Sequence, residues 1–249
     1  MQVLYPAWQH RMVQQRLPSL LDPPIGFAHR GARAHAPENT LEAFALALRL
    51  GATGLESDVW LTADKVAVLD HDGVIRRWGR KQPISELKYQ SLPSHIPSLA
   101  SMLSSCPGEF ALSLDVKDPS AFAATVTAIR EVKPEIEEHL WLCHPNWEQV
   151  AQWRVSTHAK LVDSTRLSRI KEGPERRAAL LHESGIDAIN MHHTDWNGGL
   201  VTLFHRFKKY ALGWDMQHDY VLNDGLRMGL DGVFSDHTDR MMDALNHHV

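Results

Sequence analysis

The chain has 249 residues, of which 43% are hydrophobic and 22% are charged, and its formal net charge is −4. This composition is that of an ordinary globular protein with one sizeable core, and it contains no basic block of the kind that binds nucleic acid. No window is long and apolar enough to span a bilayer, and the N-terminal residues lack the apolar stretch of a signal peptide. We therefore expect a cytoplasmic protein with no nucleic-acid partner and no stable membrane insertion, and its oligomeric state stays open.

Short apolar runs alternate with amphipathic stretches along the chain, beginning with a strand-like run at 25–30. The strand-like runs are IGFAHR, TGLESDVWL, KVAVLDH, FALSLDVK, LWLCH, KLVDS, DAINMHH, ALGWDM and GVFSD. The helical stretches between them are TLEAFALALRLG, SAFAATVTAIREV, NWEQVAQWRV, PERRAALLHESG and LVTLFHRFKKY. This alternation predicts βαβ units and, at about eight repeats, an α/β fold of the (β/α)₈ TIM-barrel type. An open doubly wound sheet is the alternative, but the glycine-rich nucleotide motifs typical of such sheets are absent.

The domain organisation follows from the same pattern. Residues 1–24 are predicted to be a lead-in segment, and residues 25–249 a single barrel domain. Residues 72–97 have little periodicity and read as an excursion between barrel units, too short to bury a core of their own. Cys106 and Cys143 lie far apart without a CxxC spacing, so we expect two free thiols.

Several predicted strands end in residues that can carry chemistry, and in a barrel these ends meet at one face. The residues are His29 and Arg30, Glu56 and Asp58, His71 and Asp72, and Asp115 and Lys117. Residues two apart on a strand share a face, so the members of the second and fourth pairs should project together. Carboxylates gathered in a partly dry site repel one another, and a hard divalent cation, Mg²⁺ or Ca²⁺, is the natural compensation.

The remaining groups at these ends favour hydrolysis of a phosphate ester. Two histidines can act as general acid and general base near neutral pH, while Arg30 and Lys117 suit phosphate oxygens. A nucleophilic G-x-S-x-G motif is absent, which argues against an acyl hydrolase. His192 and His193 also end a predicted strand, but adjacent residues on a strand point to opposite faces, so they are not expected to face one ion together.

The order and spacing of these motifs resemble those of the glycerophosphodiester phosphodiesterase family, from about residue 25 to about residue 243. The matching segments are His29-Arg30-Gly31, PENT at 37–40, Glu56-x-Asp58, His71-Asp72, IPSLASML at 96–103, Asp115-x-Lys117, Trp214 in GWDMQ, and GLDGVFSDHTDRM at 229–241. The resemblance implies a TIM barrel that hydrolyses glycerophosphodiesters to glycerol 3-phosphate and an alcohol, with a small phosphodiester as its substrate.

The resemblance also implies roles for individual residues. His29 and His71 would form the acid/base pair, and one divalent cation would bind the carboxylates of Glu56, Asp58 and Asp115. Arg30 and Lys117 would contact the phosphate, and Trp214 would line the pocket against the glycerol.

Two departures from the family pattern concern the ligands and the leaving alcohol. The family usually has Glu at the position of Asp115, and the segment after His71-Asp72 lacks the family's threonine-rich pattern. Two alternatives stay open. One is a lysophospholipase D-type phosphodiesterase, with an apolar groove near Trp78 and Leu92, and the other is a catalytically silent binding barrel.

Overall fold

The computed structural model describes residues 16–77 and 79–248. Eight parallel strands form a closed barrel, confirming the predicted fold, because β1 pairs with both β2 and β11 at the seam. The strands of the described chain are β1 Ile25–Ala28, β2 Gly54–Leu61, β3 Ala67–Leu69, β4 Val74–Arg77, β5 Arg80–Pro83, β6 Ala111–Val116, β7 Leu140–His144, β8 Lys160–Thr165, β9 Ala188–His192, β10 Tyr210–Trp214 and β11 Gly232–Ser235. Around the barrel the order is β1, β2, β6, β7, β8, β9, β10 and β11.

Helices cover the outside of the barrel between its strands. Those of the described chain are α1 Leu41–Arg49, α2 Leu99–Ser105, α3 Ala121–Val132, α4 Trp147–Trp153, α5 Pro174–Glu183, α6 Gly198–Arg206, α7 Asp219–Arg227 and α8 Thr238–His248. The five predicted helical stretches are α1, α3, α4, α5 and α6. The helices α2, α7 and α8 were not predicted.

The barrel interior changes from apolar to polar along most of the strands. Inward positions at the amino-terminal end carry apolar side chains such as Phe27, Trp141 and Phe234, which pack together as one buried cluster. The rings of Phe27 and Phe234 stack with centroids 4.6 Å apart. Inward positions further along the strands carry the polar residues of the site. The apolar layer therefore closes the barrel below a polar mouth, as is usual in this fold.

The third predicted strand, β3, lies outside the barrel and runs antiparallel to β2. β2 extends past the barrel mouth to Leu61, and β3 runs back along it, with the Asp70 N–H donating to the carbonyl of Asp58. His71 thus returns to the level of the barrel mouth. The expectation that His71 would end a parallel barrel strand was wrong, but the reversal of direction places the side chain at the same face.

The excursion at 72–97 has more structure than the sequence suggested. It contains the antiparallel hairpin β4–β5, and Ile75, Ile84, Leu87 and Ile96 pack with Val68 as a small buried cluster. The cluster includes Val68 of β3 and packs against Trp60 of β2, so the excursion buries its apolar residues against the barrel unit that it follows. Trp78, a residue of the proposed apolar groove, lies outside the described residues.

Residues 1–15 of the predicted lead-in segment lie outside the described residues, but its final part packs on the barrel. Asp231 accepts hydrogen bonds from the Ser19 hydroxyl at 2.7 Å and from the Leu20 N–H at 2.5 Å. Cys106 and Cys143 are both buried free thiols, as predicted. Within residues 16–77 and 79–248, no helix has the length and apolar character to cross a membrane.

Candidate active site

A cavity of about 470 Å³ opens at the carboxyl ends of the barrel strands. All eight residues predicted from the sequence line it, namely His29, Arg30, Glu56, Asp58, His71, Asp115, Lys117 and Trp214. Further lining residues that the sequence did not single out include Arg33, Ser164, Arg166, Arg169, Asn190, Asp215 and Gln217. The structure therefore brings the predicted residues of separate strands to one hollow.

His29 follows β1 and is held between two carboxylates. Its Nδ1 lies 2.5 Å from Asp236 Oδ1, so the ring carries a hydrogen at Nδ1, and its Nε2 lies 3.9 Å from Glu56 Oε2. Burial on its own would lower the pKa of His29, but Glu56 and Asp236 hold that pKa above its ordinary value. Asp236 directly follows β11, next to β1 in the barrel, and it is the clearest site residue that the sequence analysis missed.

A sharp turn after β1 positions His29 and Arg30. Gly31 has φ +77°, and a Cβ there would lie 2.6 Å from the backbone carbon of Ala43, so the residue must be glycine on both counts. The side chain of Thr40 caps α1 by accepting from the Ala43 N–H. The Arg30 N–H donates to Glu56 Oε2 at 2.9 Å, so the turn also fixes the first carboxylate.

Glu56 and Asp58 project together from β2, as their spacing predicted, and both are buried. Burial raises the pKa of Glu56 to about 7 against the opposing charge of His29, and the charges of Asp58 and Asp115 add to the rise. The carboxylates from β2 and β6 therefore lie close enough to repel one another.

Lys117 links the acids of the two strands. Its Nζ lies 2.9 Å from Asp58 Oδ1 and 2.8 Å from Asp115 Oδ2, and these carboxylates raise the pKa of Lys117 although burial alone would lower it. Arg30 approaches the other Asp58 oxygen, with Nε 3.3 Å from Oδ2. The two cations predicted to contact phosphate are therefore also the partners of Asp58.

His71 lies at the more exposed side of the cavity. Its Nδ1 is 2.8 Å from Asp72 Oδ1, and the side chain is 41% exposed. The His71–Asp72 pair repeats the arrangement of His29 with Asp236, in which Nδ1 binds a carboxylate. Both imidazoles therefore keep Nε2 for another partner.

The opposite side of the barrel mouth is built from the ends of β8, β9 and β10. Arg166 forms a two-contact ion pair with Asp195, with its Nε 2.5 Å from Oδ2, and its guanidinium lies 5.8 Å from the Trp214 ring centroid. Asn190 is buried in the cavity wall, and its Oδ1 has no hydrogen-bond partner. This wall can therefore accept a hydrogen bond from a hydroxyl group.

Two groups of side chains in the described chain have the geometry to hold a metal ion, with one ligand atom of each residue within 4.8 Å of the others. They are His35–His237–Asp239 and His192–His193–Asp215. The three carboxylates predicted to bind the cation are not a third such group. Lys117 lies between two of them, Asp58 and Asp115.

The expectation that His192 and His193 point apart was wrong. β9 ends at His192, and His193 begins a 3₁₀ turn, so the strand rule does not apply between them. Their ring centroids lie 4.4 Å apart.

Comparison with known proteins agrees with this fold and these motifs. Residues 29–99 match the glycerophosphoryl diester phosphodiesterase family. Lysophospholipase D GDPD1 of Rattus norvegicus is 35% identical over 96 residues, which are 38% of this chain and 29% of the relative. Glycerophosphodiester phosphodiesterase 1 of the same organism is 52% identical over 50 residues, 20% of this chain and 15% of the relative. The chain thus spans less than a third of the length of these curated relatives.

Solved structures match over most of the chain. A phosphodiesterase of Oleispira antarctica, in complex with the product sn-glycerol-3-phosphate, has a TM-score of 0.79 at 20% identity, covering 90% of this chain and 97% of the other. The glycerophosphodiester phosphodiesterase of Thermotoga maritima has a TM-score of 0.76 at 20% identity, covering 88% and 97%.

The fold is therefore a TIM barrel that these solved structures share over most of the chain. The resemblance to the glycerophosphodiester phosphodiesterase family that the sequence predicted is confirmed by the family match of residues 29–99 and by the relatives named above.

Proposed function

We propose that this protein hydrolyses glycerophosphodiesters to glycerol 3-phosphate and an alcohol. The observation that carries the proposal is the pair of histidines at one cavity, each bound through Nδ1 to a carboxylate, next to buried acids and two cations. The family match of residues 29–99 and the names of the relatives support the same reaction.

In the proposed reaction the two histidines exchange protons with the substrate through Nε2. One of them removes a proton from the attacking oxygen, which is either water or the neighbouring glycerol hydroxyl, and the other protonates the departing alkoxide. Asp236 and Asp72 keep the Nδ1–H tautomer and the orientation of each ring. Arg30 and Lys117 stabilise the negative charge that develops on the phosphate oxygens.

Glu56, Asp58 and Asp115 suit a hard divalent cation such as Mg²⁺ or Ca²⁺, because they supply only carboxylate oxygens. The raised pKa of Glu56 fits this role, since a cation would stabilise the charged form of this buried group. The bound cation would neutralise charge on a phosphate oxygen. Lys117 contacts one oxygen of Asp58 and one of Asp115, so its ammonium would lie beside a cation that these carboxylates hold.

The cavity wall offers contacts for the glycerol part. Trp214 presents its ring at the end of β10, and Asn190 offers an unpaired buried oxygen to a hydroxyl. We propose that these residues bind the glycerol and that the cavity mouth receives the leaving alcohol.

A lysophospholipase D activity is the second candidate, favoured by the name of the rat relative. It requires an apolar surface for an acyl chain. The cavity lining is mainly polar and charged, and Leu92 packs against the small cluster of the excursion. These observations favour the smaller, water-soluble diesters.

A substrate panel tests the proposal and separates the two candidates. Purified protein is assayed on glycerophosphocholine, -ethanolamine and -inositol and on a lysophospholipid, each with EDTA and with Mg²⁺ or Ca²⁺ restored. His29→Ala and His71→Ala are expected to lose about 10²- to 10⁴-fold in rate, whereas the control His95→Ala, which changes an exposed histidine away from the cavity, should not. Wild-type turnover in both variants would refute the acid/base assignment, and full activity in EDTA would refute the metal requirement.

A further inference from the structure

His192, His193 and Asp215 meet at the carboxyl ends of two neighbouring barrel strands. His192 ends β9 and lies in register with Trp214, which ends β10, and Asp215 follows directly. In the ring of eight strands, β9 and β10 lie opposite β2 and β6, which carry the three carboxylates of the proposed active site. This group therefore lies on the opposite side of the barrel mouth from those carboxylates.

The three side chains are arranged as ligands of one ion. The two imidazole rings lie with centroids 4.4 Å apart at an angle of 32°, and His192 Nε2 is 3.0 Å from Asp215 Oδ2. One donor atom from each residue lies within 4.8 Å of the other two. Two imidazoles and one carboxylate favour a transition-metal dication such as Zn²⁺ over Mg²⁺, which prefers oxygen ligands.

The surroundings hold the group in place. His192 Nδ1 accepts from the Thr194 N–H at 3.2 Å and lies 2.8 Å from Thr194 Oγ1, so residue 194 fixes the orientation of the ring and leaves Nε2 directed at Asp215. The rings of His192 and Trp214 make a T-shaped contact, with their centroids 4.6 Å apart. Asp215 adopts a left-handed φ of +62°, an uncommon conformation that costs energy and is frequent at functional positions.

We propose that His192, His193 and Asp215 form a binding site for a zinc-class divalent ion, separate from the carboxylates of the active site. Asp215 lines the cavity, so the ion adds positive charge at the cavity rim beside Trp214. A zinc site with three protein ligands keeps a further position for water or a substrate oxygen.

The other three-residue group provides the comparison. His35, His237 and Asp239 lie outside the cavity lining, and the side chains of His35 and Asp239 are 36% and 48% exposed. In the proposed site the side chains of His192 and Asp215 are 16% and 47% exposed, so its histidine is more buried than His35 while its carboxylate is as exposed as Asp239. Removing this group with His35→Ala and His237→Ala gives a background protein in which the proposed site is measured alone.

The test is calorimetric titration of Zn²⁺ into the full-length background protein, together with the visible absorption spectrum of bound Co²⁺. His193→Ala and Asp215→Asn each remove one ligand, and Asn tolerates the left-handed backbone of position 215. His144→Ala is the matched control, since His144 ends β7 and its Nδ1 also accepts from an N–H two residues later.

We expect each ligand variant to bind one Zn²⁺ equivalent fewer, or to bind it at least about 10- to 100-fold more weakly. Removing a residue that only hydrogen-bonds to a metal ligand already causes a loss of this size, so removing a ligand should cost at least as much. The control should keep the affinity of the background protein, and excess Mg²⁺ should not displace the Zn²⁺. Circular dichroism shows whether each variant is folded. Unchanged Zn²⁺ affinity and Co²⁺ spectrum in the two folded ligand variants would overturn the proposal, and so would displacement by Mg²⁺. Because hydrolysis is not measured, this result is independent of the proposed enzymatic function.

Discussion

Replacing Asp236 with Asn isolates the carboxylate that orients His29. The change keeps the size of the side chain and removes its charge, while the amide can present either an oxygen or an NH₂ group to Nδ1. The Nδ1–H tautomer of His29 then loses its anionic partner. We expect a lower rate of hydrolysis with the fold retained.

The size of the effect follows from the contact itself. Asp236 Oδ1 lies 2.5 Å from His29 Nδ1, and the two side chains are 22% and 27% exposed, so this is a well-shielded, charge-assisted hydrogen bond. Such bonds contribute about 1.5–3 kcal/mol. At about 1.36 kcal/mol per factor of ten, kcat/KM should fall roughly 10- to 150-fold, less than the largest loss expected for His29→Ala.

The pH dependence provides a second measurement. Because Glu56 and Asp236 hold the pKa of His29 above its ordinary value, removing one carboxylate should lower that pKa. The inflection of the pH–rate profile that belongs to His29 should therefore move to lower pH, whether this histidine acts as the acid or as the base.

The control variant is Asp239→Asn, three residues further along the chain. Asp239 makes the same kind of contact with a more exposed histidine, His35, at 3.0 Å and outside the cavity lining. It should leave kcat/KM and the pH profile unchanged. If Asp236→Asn matches wild type in rate and pH profile while His29→Ala is inactive, the positioning role of Asp236 is wrong.

Three other substitutions test separate parts of the structure. Arg177→Met removes the guanidinium that lies 2.6 Å from the fully buried carboxylate of Asp163. The free energy of unfolding measured in urea should fall by about 3–5 kcal/mol. An unchanged free energy of unfolding would show that this ion pair does not stabilise the fold. Gly31→Ala places a Cβ 2.6 Å from the backbone of Ala43 at a φ of +77°. It should lower the free energy of unfolding by more than about 1 kcal/mol in the same assay and also reduce turnover. Wild-type values of both would refute the requirement for glycine at this turn. Asn190→Ala should raise KM roughly 2- to 10-fold with a smaller change in kcat, because one neutral hydrogen bond is lost; an unchanged KM would exclude Asn190 from substrate binding.

The barrel could be predicted from the sequence because its strands are buried on both faces and read as apolar runs. All nine predicted runs coincide with strands. The exception to the barrel pattern, β3, has the same apolar character in its AVL core, because it too packs on both sides. An apolar run indicates that a strand is buried, but it does not indicate whether the strand runs parallel or antiparallel to its neighbour. The antiparallel direction of β3 could therefore not be predicted from the sequence.

The missed helices and the missed site residue have different causes. The helix α2 has only seven residues, two of them Ser at its C-terminal end, so its amphipathic pattern is short.

Asp236 follows the strand GVFS in the same way that His29 follows IGFA. The rule that strand ends carry chemistry could have identified Asp236, but its role depends on β11 lying beside β1, and that neighbour relation is fixed only when the barrel closes.

The contacts of Asp58 and Asp115 with Lys117 could not be predicted from the sequence. Spacing predicted correctly that Asp58 shares a face with Glu56 and that Asp115 shares one with Lys117. It said nothing about register between β2 and β6, which pairs Asp58 with Asp115 directly and thereby brings both carboxylates to the ammonium of Lys117. Side-chain periodicity is a property of one strand, whereas the position of a charge relative to a neighbouring strand depends on closure of the whole barrel. Lys117 was therefore predicted only as a phosphate contact, although in the structure it is first an ion-pair partner of both acids.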